Sequence, residues 1–341
     1  MTAHAAKTRR PTIYDVAERA GVSKSLVSLV LTNSPSVRPA KRTAVLAAIK
    51  ELGYRPSRAA TTLASRETKN IGLVIDDYRN LWFVDLLRGM QQELKPLGYQ
   101  VTVADSSSAD DPGQGTVERL LSMHLAGLVV AMDEPRETLA TGPWTPTVVA
   151  GWRENLPEGA DLIANDDDAG GRLAANYLLE LGHTKIGHVT GSGAAAAHRW
   201  AGFHSRTAES GVPLRIWGQG HGTTEEDGYQ AASALLAHFP DTTAIFAAND
   251  TMAVGTLAAI KARGLSVPMD ISVLGYDNSP AAQSRYLDIS SIDDKSEEVG
   301  TLTAKALMSR IADPDRTPLR TFVQPELIPR GTTSRLEPAR N

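Results

Sequence analysis

The sequence predicts an α/β protein: a small all-α helix-turn-helix head joined to a two-lobed body of doubly wound parallel sheets. Three observations lead there. Residues 12–32 carry two short amphipathic helices around one glycine turn. From Lys69 onward, strand-like runs alternate with helical ones, as in parallel sheets covered on both faces. The charge is also split. Residues 1–66 hold twelve Lys/Arg against three acids, a net of +9, and the remainder holds 23 against 36, a net of −13, within an overall −4. A basic head on an acidic body fits a polyanion-binding module joined to a domain with another task.

The bulk numbers set limits. A chain of 341 residues with 42% hydrophobic content can bury a large core and form two or three domains. It has no Cys, so disulfides and thiolate metal sites are excluded. The first residues are polar and basic with no apolar export segment behind them. No apolar run is long enough to cross a bilayer. The expectation is a cytoplasmic, nucleoid-associated protein without a membrane partner.

In chain order, residues 1–11 read as a disordered basic arm. Residues 12–55 read as the helix-turn-helix domain. Thr12 with Asp15 has capping-box spacing, so a helix starts at Ile13. Val16, Ala17 and Ala20 give it an apolar face. Gly21 permits a sharp turn, and Ser23 can cap a second helix. Leu26, Val27 and Val30 face inward, leaving Lys24, Ser25 and Ser28 outward. A third helix runs from about Pro39 to Leu52, with Val45, Leu46 and Ile49 inside and Gly53 at its end. Such a pair of helices suits insertion of the second into a DNA major groove, with an ordinary helical hairpin as the bland alternative.

Residues 56–67 read as a short hinge helix or linker almost without a hydrophobic stripe; only Leu63 is large and apolar. A helix this short is marginal in water. Residues 68–333 form the body. Strands are expected at 71–75, 101–104, 127–131, 147–150, 162–164, 186–189, 244–247 and 272–275. Helices are expected at 84–95, 116–123, 170–181, 199–210, 226–238 and 251–263, with another at 295–311 and a strand-like 319–328 after it. The Ala194–Ala197 run reads as a loop entering a helix. Lobe 1 takes about 68–163 and 293–318, and lobe 2 about 164–292 and 319–333, with a first crossing near Ile163–Asn165. Residues 334–341 are a polar tail.

With these parts in place, the chain resembles the lactose-repressor (LacI/GalR) family of bacterial transcription regulators from Pro11 to about Thr333. The resemblance rests on Thr12–Leu31, Leu52-Gly-Tyr-Arg-Pro56, Gly182-His-Thr-Lys-Ile-Gly187, Asn249-Asp-Thr-Met-Ala-Val-Gly255, and Val267-Pro-Met-Asp-Ile-Ser-Val-Leu-Gly-Tyr-Asp277. It implies a periplasmic-binding-protein-like body. It implies that Lys24, Ser25 and Leu29 read base edges. Many members carry Arg or another polar residue at the Leu29 position, whereas leucine can only touch a thymine methyl or fill space. Thr12, Ser23, Ser28, Arg38 and Arg42 become candidates for phosphate contacts, each equally readable as a cap or a solvated surface residue. The hinge residues Ser57, Ala60 and Leu63 match a minor-groove segment whose leucine wedges into a base step. The small footprint of one helix-turn-helix implies a homodimer on pseudo-palindromic double-stranded DNA. The sequence shows no leucine-heptad extension after Thr333, which favours a dimer over a tetramer.

The body shows no catalytic constellation, no metal-ligand spacing among its His residues and no cofactor motif. His183, in the turn before a strand, reads as structural. Polar residues at strand ends stand out instead: Asp76 and Asp77, Asp166 and Asp167, Arg199, Asn249 with Asp250, and Asp277. The resemblance implies that Arg199, Asn249 and Asp277 grip an effector, with Asp76 and Phe83 on the first-lobe side and Asp166 at the first crossing. These groups suit a polyol such as a sugar. Trp82, Phe83, Trp152, Trp200 and Trp217 are candidate stacking faces, and core packing is the better reading for most of the tryptophans. Asp250 reads evenly as helix cap or ligand contact, and Asp167 and Asp168 as exposed caps. The expected function is a DNA-binding transcriptional repressor controlled by a small effector, most simply a sugar. The alternatives are a sugar-binding protein without DNA function and, less supported, an enzyme acting on sugars.

Overall fold

The computed structural model describes residues 11–31, 34–54, 68–76, 78, 80–105, 119–132, 145–153, 156–213 and 215–336. The basic arm at 1–10 and the hinge at 56–67, with Ser57, Ala60 and Leu63, lie outside the described residues. The chain divides into a head, Met1–Thr68, and a body, Lys69–Asn341.

The head holds α1 (Ile13–Ala20), α2 (Lys24–Leu31) and α3 (Pro39–Leu52). Thr12 and Asp15 form the capping box, with the Thr12 amide donating to Asp15 Oδ2 at 2.6 Å. Gly21 ends α1 in the left-handed region at φ 62°. Val16, Ala17, Val27, Val30, Val37, Val45, Ala48 and Tyr54 make the core. Leu46, expected inside, is 53% exposed. On a 3.6-residue helix the stripe through Val45, Ala48, Ile49 and Leu52 turns Leu46 outward.

The body holds two six-stranded sheets. The first joins β1 (Asn70–Ile75), β2 (Gln100–Asp105), β3 (Gly127–Ala131), β4 (Thr147–Ala150), β5 (Asp161–Asn165) and β11 (Arg320–Val323). The second joins β6 (Ile186–Val189), β7 (Arg215–Trp217), β8 (Ala244–Ala247), β9 (Ser272–Tyr276), β10 (Ser290–Asp293) and β12 (Glu326–Ile328). Their orders are β11-β5-β4-β3-β1-β2 and β12-β10-β9-β8-β6-β7. Every pairing is parallel except β10 with β12. The inner strands are apolar on both faces, as strands covered on both sides require.

Several boundaries differ from the sequence expectation. The strand-like 319–328 is two strands. Residues 320–323 pair with β5 in the first sheet and only 326–328 join the second, so 319–323 do not belong with lobe 2. Pro325 stands between them, where a ladder donor would be missing. The strands 215–217 and 290–293 were not foreseen. Of the expected 116–123 helix, the described residues show only 119–121 as helical.

Six helices cover the sheets among the described residues: α4 (Trp82–Leu94), α5 (Asp167–Glu180), α6 (Ala194–Glu209), α7 (Glu225–His238), α8 (Asp250–Ala262) and α9 (Ser296–Ala312). The alanine run 194–197 is helix rather than loop. Three pairs of these helices cross at glycine notches. A Cβ on Gly171 of α5 would run into the Arg199 carbonyl, and one on Gly202 of α6 into the Asp168 carbonyl. Gly89 with Gly300, and Gly228 with Gly255, make the same reciprocal approach in the other two. The α5–α6 notch matters most, because it brings Asp167 against Arg199.

Candidate functional site

On the head, one face of α2 collects the residues proposed to meet DNA. Lys24 and Ser25 are exposed in its first turn, and Leu29, one turn on, is 43% exposed rather than packed inward. Ser23 accepts the Leu26 amide at 3.3 Å, so its oxygen starts the helix. The Lys24 ammonium lies 5.1 Å from the Tyr14 ring centroid and donates to the Tyr14 hydroxyl at 3.4 Å. Tyr14 was not singled out from sequence; it is exposed on α1, where an outward aromatic is the available signal. Ser28 is half-buried and Arg38 exposed just before α3. Arg42 donates to the Ser34 carbonyl and ties down the loop between α2 and α3.

In the body a cavity of about 570 Å³ opens at the carboxyl ends of both sheets. Asp76, Phe83, Arg199, Asn249 and Asp277 all line it. Asp166 does not. One of its oxygens caps α5 by accepting the Ala169 amide at 3.0 Å, and the other accepts from Gln324 at 2.9 Å. The chain changes sheets three times, after β5, after β10 and between β11 and β12, and Asp166 ties the first crossover to the third instead of facing the cavity. Of the aromatic candidates, Trp82, Phe83 and Trp152 line the cavity, whereas Trp200 stacks on His204 and Trp217 packs against His238.

Arg199 organises the second-lobe wall. Its Nε donates to Asp167 Oδ1 at 2.8 Å, and its Nη1 donates to the Ala248 carbonyl at 2.7 Å and to Asp277 Oδ1 at 3.1 Å. Asp294 Oδ2 stands 3.8 Å from Nη2, and the guanidinium lies 3.7 Å from the centroid of the Tyr276 ring. One cation thus faces three buried carboxylates. Burial pushes Asp277 up to about 7, against the pull of Arg199. Burial likewise carries Asp294 well above the usual carboxylate range, with the charge of Asp277 adding to the effect. Burial opposes the charge on Arg199, yet Asp167 and Asp277 hold its pKa above the ordinary value.

Sequence reasoning gave Asp167 the wrong role and missed Asp294. Asp167, expected as an exposed cap, is buried because Asp166 already supplies the cap. Asp294 follows β10, itself not foreseen. Asn249 caps α8 through the Met252 amide at 2.7 Å and donates to the Thr223 carbonyl at 3.3 Å. Asp250 is neither cap nor lining: it is buried, accepting from the Ser279 amide at 2.6 Å and the Ser291 hydroxyl at 2.7 Å, and burial raises it to about 6. Asn165 was also missed; it accepts from Trp82 Nε1 at 3.1 Å and donates to the Asp294 carbonyl, joining two crossovers at the cavity. His183 bonds Thr243 and the Ser334 carbonyl, a structural placement. Among the described residues no group of His, Asp and Glu is arranged to hold a metal, and no helix is long and apolar enough to cross a membrane.

Residues 12–57 match the family described as bacterial regulatory proteins, lacI family, and residues 175–333 match the periplasmic binding protein-like domain. The HTH-type transcriptional repressor PurR of Mannheimia succiniciproducens is 31% identical over 332 residues, covering 95% of this chain and 99% of that protein. The ribose operon repressor of Escherichia coli is 32% identical over 328 residues, covering 94% and 99%. Among solved structures, the lac repressor dimer bound to operator and the anti-inducer ONPF superposes with a TM-score of 0.83 at 26% identity, covering 96% of this chain and all of that one.

Proposed function

Because the chain belongs to the lacI family of bacterial regulatory proteins, we propose that it is a transcriptional repressor whose effector is a sugar or sugar derivative held in the body cavity. As a family member it is a DNA-binding regulator that responds to a small molecule and acts on operator DNA as a dimer. The observation that carries the sugar reading is the make-up of the cavity wall. Asp277, Asn249 and Arg199 offer acceptors and donors to neighbouring hydroxyls, and Trp82 and Phe83 add apolar surface, whereas the Trp152 ring is already stacked on His198 and Phe322. Asp76 belongs to the same contact set. The cavity is a binding site here, not a catalytic centre, and the setting is cytoplasmic.

On the DNA side, Lys24 and Ser25 donate to base edges while Leu29 packs on a thymine methyl. Thr12, Ser23, Ser28, Arg38 and Arg42 fix register on phosphates. The segment 56–67, with Ser57, Ala60 and Leu63, acts in the minor groove between a DNA-binding unit at 12–55 and an effector unit at 68–333. Closure of the cavity around effector changes operator affinity, a coupling of typically about 1–3 kcal/mol.

The test is gel retardation of promoter fragments across a salt series, without and with each candidate sugar. Affinity for one pseudo-palindromic site should fall steeply as salt rises, because binding releases counterions. One sugar should shift that affinity, and the operator should shift the sugar's affinity by the same factor. Binding no tighter than to random duplex, with every sugar, would overturn the reading.

A further inference from the structure

We propose that the effector carries an anionic substituent, a phosphate or carboxylate group, and that Arg153 binds it from the first lobe. This rests on the reading of the body cavity as the effector site. Among the described residues, five charged side chains line the cavity: Asp76, Asp167, Asp277, Arg153 and Arg199. The two arginines are in opposite situations. Arg199 is paired with carboxylates: its Nε and Nη1 donate to Asp167, Asp277 and the Ala248 carbonyl. Arg153 has no carboxylate within ion-pair distance among the described residues. Its Nη1 donates to the Trp152 carbonyl at 2.6 Å, and its Nε is shut off from solvent with no acceptor in reach. A guanidinium that is half-buried without a counter-ion is unfavourable unless a ligand supplies one.

The surroundings hold that guanidinium in place. It lies 5.8 Å from the centroid of the Trp82 ring. It also rests against Gly151, where a Cβ would stand 3.2 and 3.4 Å from its two terminal nitrogens. The missing side chain at 151 is what makes room for it. The first turn of α6 also opens on the cavity, through Gly193, Ala194, Ala195 and Ala196. It has no side-chain cap and no acidic residue in that turn. Its first amides therefore have no acceptor inside the helix and add partial positive charge. Trp152, next to Arg153, stacks on His198 of α6 at 4.1 Å between ring centroids, so the segment that carries Arg153 meets α6, and both donor groups line the same cavity. A neutral hydroxyl satisfies neither as well as an oxyanion does. On the far wall, Asp167 and Asp277 are already paired with Arg199.

The experiment is calorimetric titration of the full chain with ribose and ribose 5-phosphate, with glucose, glucose 6-phosphate and glucuronate, and with inorganic phosphate. One anionic sugar should bind about tenfold or more tightly than its uncharged parent, the size expected of hydrogen bonds to a charged group. Its affinity, and not the parent's, should fall with ionic strength. Arg153→Gln should bring the ratio close to one, and Arg153→Lys should keep part of it. The phosphate and carboxylate arms decide which oxyanion is read. A parent sugar that binds as tightly as its anionic form, or a ratio that survives Arg153→Gln, overturns this proposal and leaves the sugar reading standing. Binding by no sugar of the panel, charged or not, overturns both.

Discussion

Replacing Arg199 by Met removes the one cation from a nest of buried carboxylates while keeping much of the side-chain volume. The side chains of Asp167, Asp294 and Asp277 are 2%, 0% and 16% exposed, and that of Arg199 9%. Stripping the partner from a buried ion pair costs about 3–5 kcal/mol. For a body of this size that lowers the unfolding temperature by roughly 6–20 °C. The loss depends on pH, and its sign follows from the raised carboxyls. An acid whose native pKa lies above its unfolded value stabilises the fold fully below the unfolded value, and loses that contribution as pH rises through the native value. For Asp277 in the wild type the window runs from 3.8 to about 7, and losing the pull of Arg199 carries it higher, so the deficit of the variant opens as pH rises past about 7. At pH 5.5 Asp277 and Asp294 can hold protons, so the variant should lie closer to wild type than at pH 8. Thermal unfolding followed by near-ultraviolet circular dichroism at the two pH values measures both quantities. In an Asp277→Asn background the same change should cost less, because one of the stranded charges is gone. An Arg199→Met protein within about 2 °C of wild type at pH 8, or one whose deficit grows toward acid, would refute the reasoning.

Gly171→Ala drives a methyl into the Arg199 carbonyl, so α5 and α6 must part. The expected cost is about 3 kcal/mol or more, read as a shift in the urea midpoint together with weaker effector binding. On the head, Lys24→Ala should lose about 1–3 kcal/mol of discrimination at one base pair, and Leu29→Arg should change the preferred base one turn away. Binding to a randomised operator library checks both, and an unchanged preference at every position would sink the assignment. His188 stacks on Phe203 and Phe246, and burial pushes it down to about 4. A histidine depressed in this way supports the fold above pH 6.5 and loses that support as pH falls toward 4. His188→Phe should therefore flatten the acid side of the stability profile between pH 6.5 and 4.5, leaving a smaller slope from His183, which burial also lowers.

The head was legible because its signals are local. A capping box, a left-handed glycine and a stripe at helical spacing each act within one or two turns, and all three are in the structure. Leu46 shows the limit: one residue off the stripe, apolar character alone does not decide burial. Body strands with continuous Val, Ile, Leu and Ala runs were equally plain, as β1, β3 and β4 show. The polar strand Ser290–Asp293 was not, because its hydroxyls are satisfied partly by partners 40 residues and more away. The Ser290 hydroxyl, for example, donates to the Arg330 carbonyl and the Ser291 hydroxyl to Asp250.

The site follows the same division. Asp76, Asn249 and Asp277 line the cavity, since the carboxyl ends of parallel strands converge there, whereas Asp166 and Asp250 do not. The roles of neighbouring aspartates could not be read from spacing. Asp166, Asp167 and Asp168 are consecutive, and only the path of the chain decides among them. The first crossover turns Asp166 toward Gln324 of the third, and the Gly171–Gly202 notch delivers Arg199 to Asp167. Asn165 meanwhile joins Trp82 of the first lobe to the Asp294 carbonyl of the second crossover. The side chains that wall the cavity and those that tie the crossovers are thus interleaved residue by residue. A ligand that draws Trp82 and Arg199 together acts on the crossovers at the same time, because the next bond from each, to Asn165 and to Asp167, is already at a strand end where the chain changes lobes. The Asn165→Ala protein separates these two effects: it keeps the charged wall intact but breaks the link, so effector should still bind while its influence on operator affinity falls.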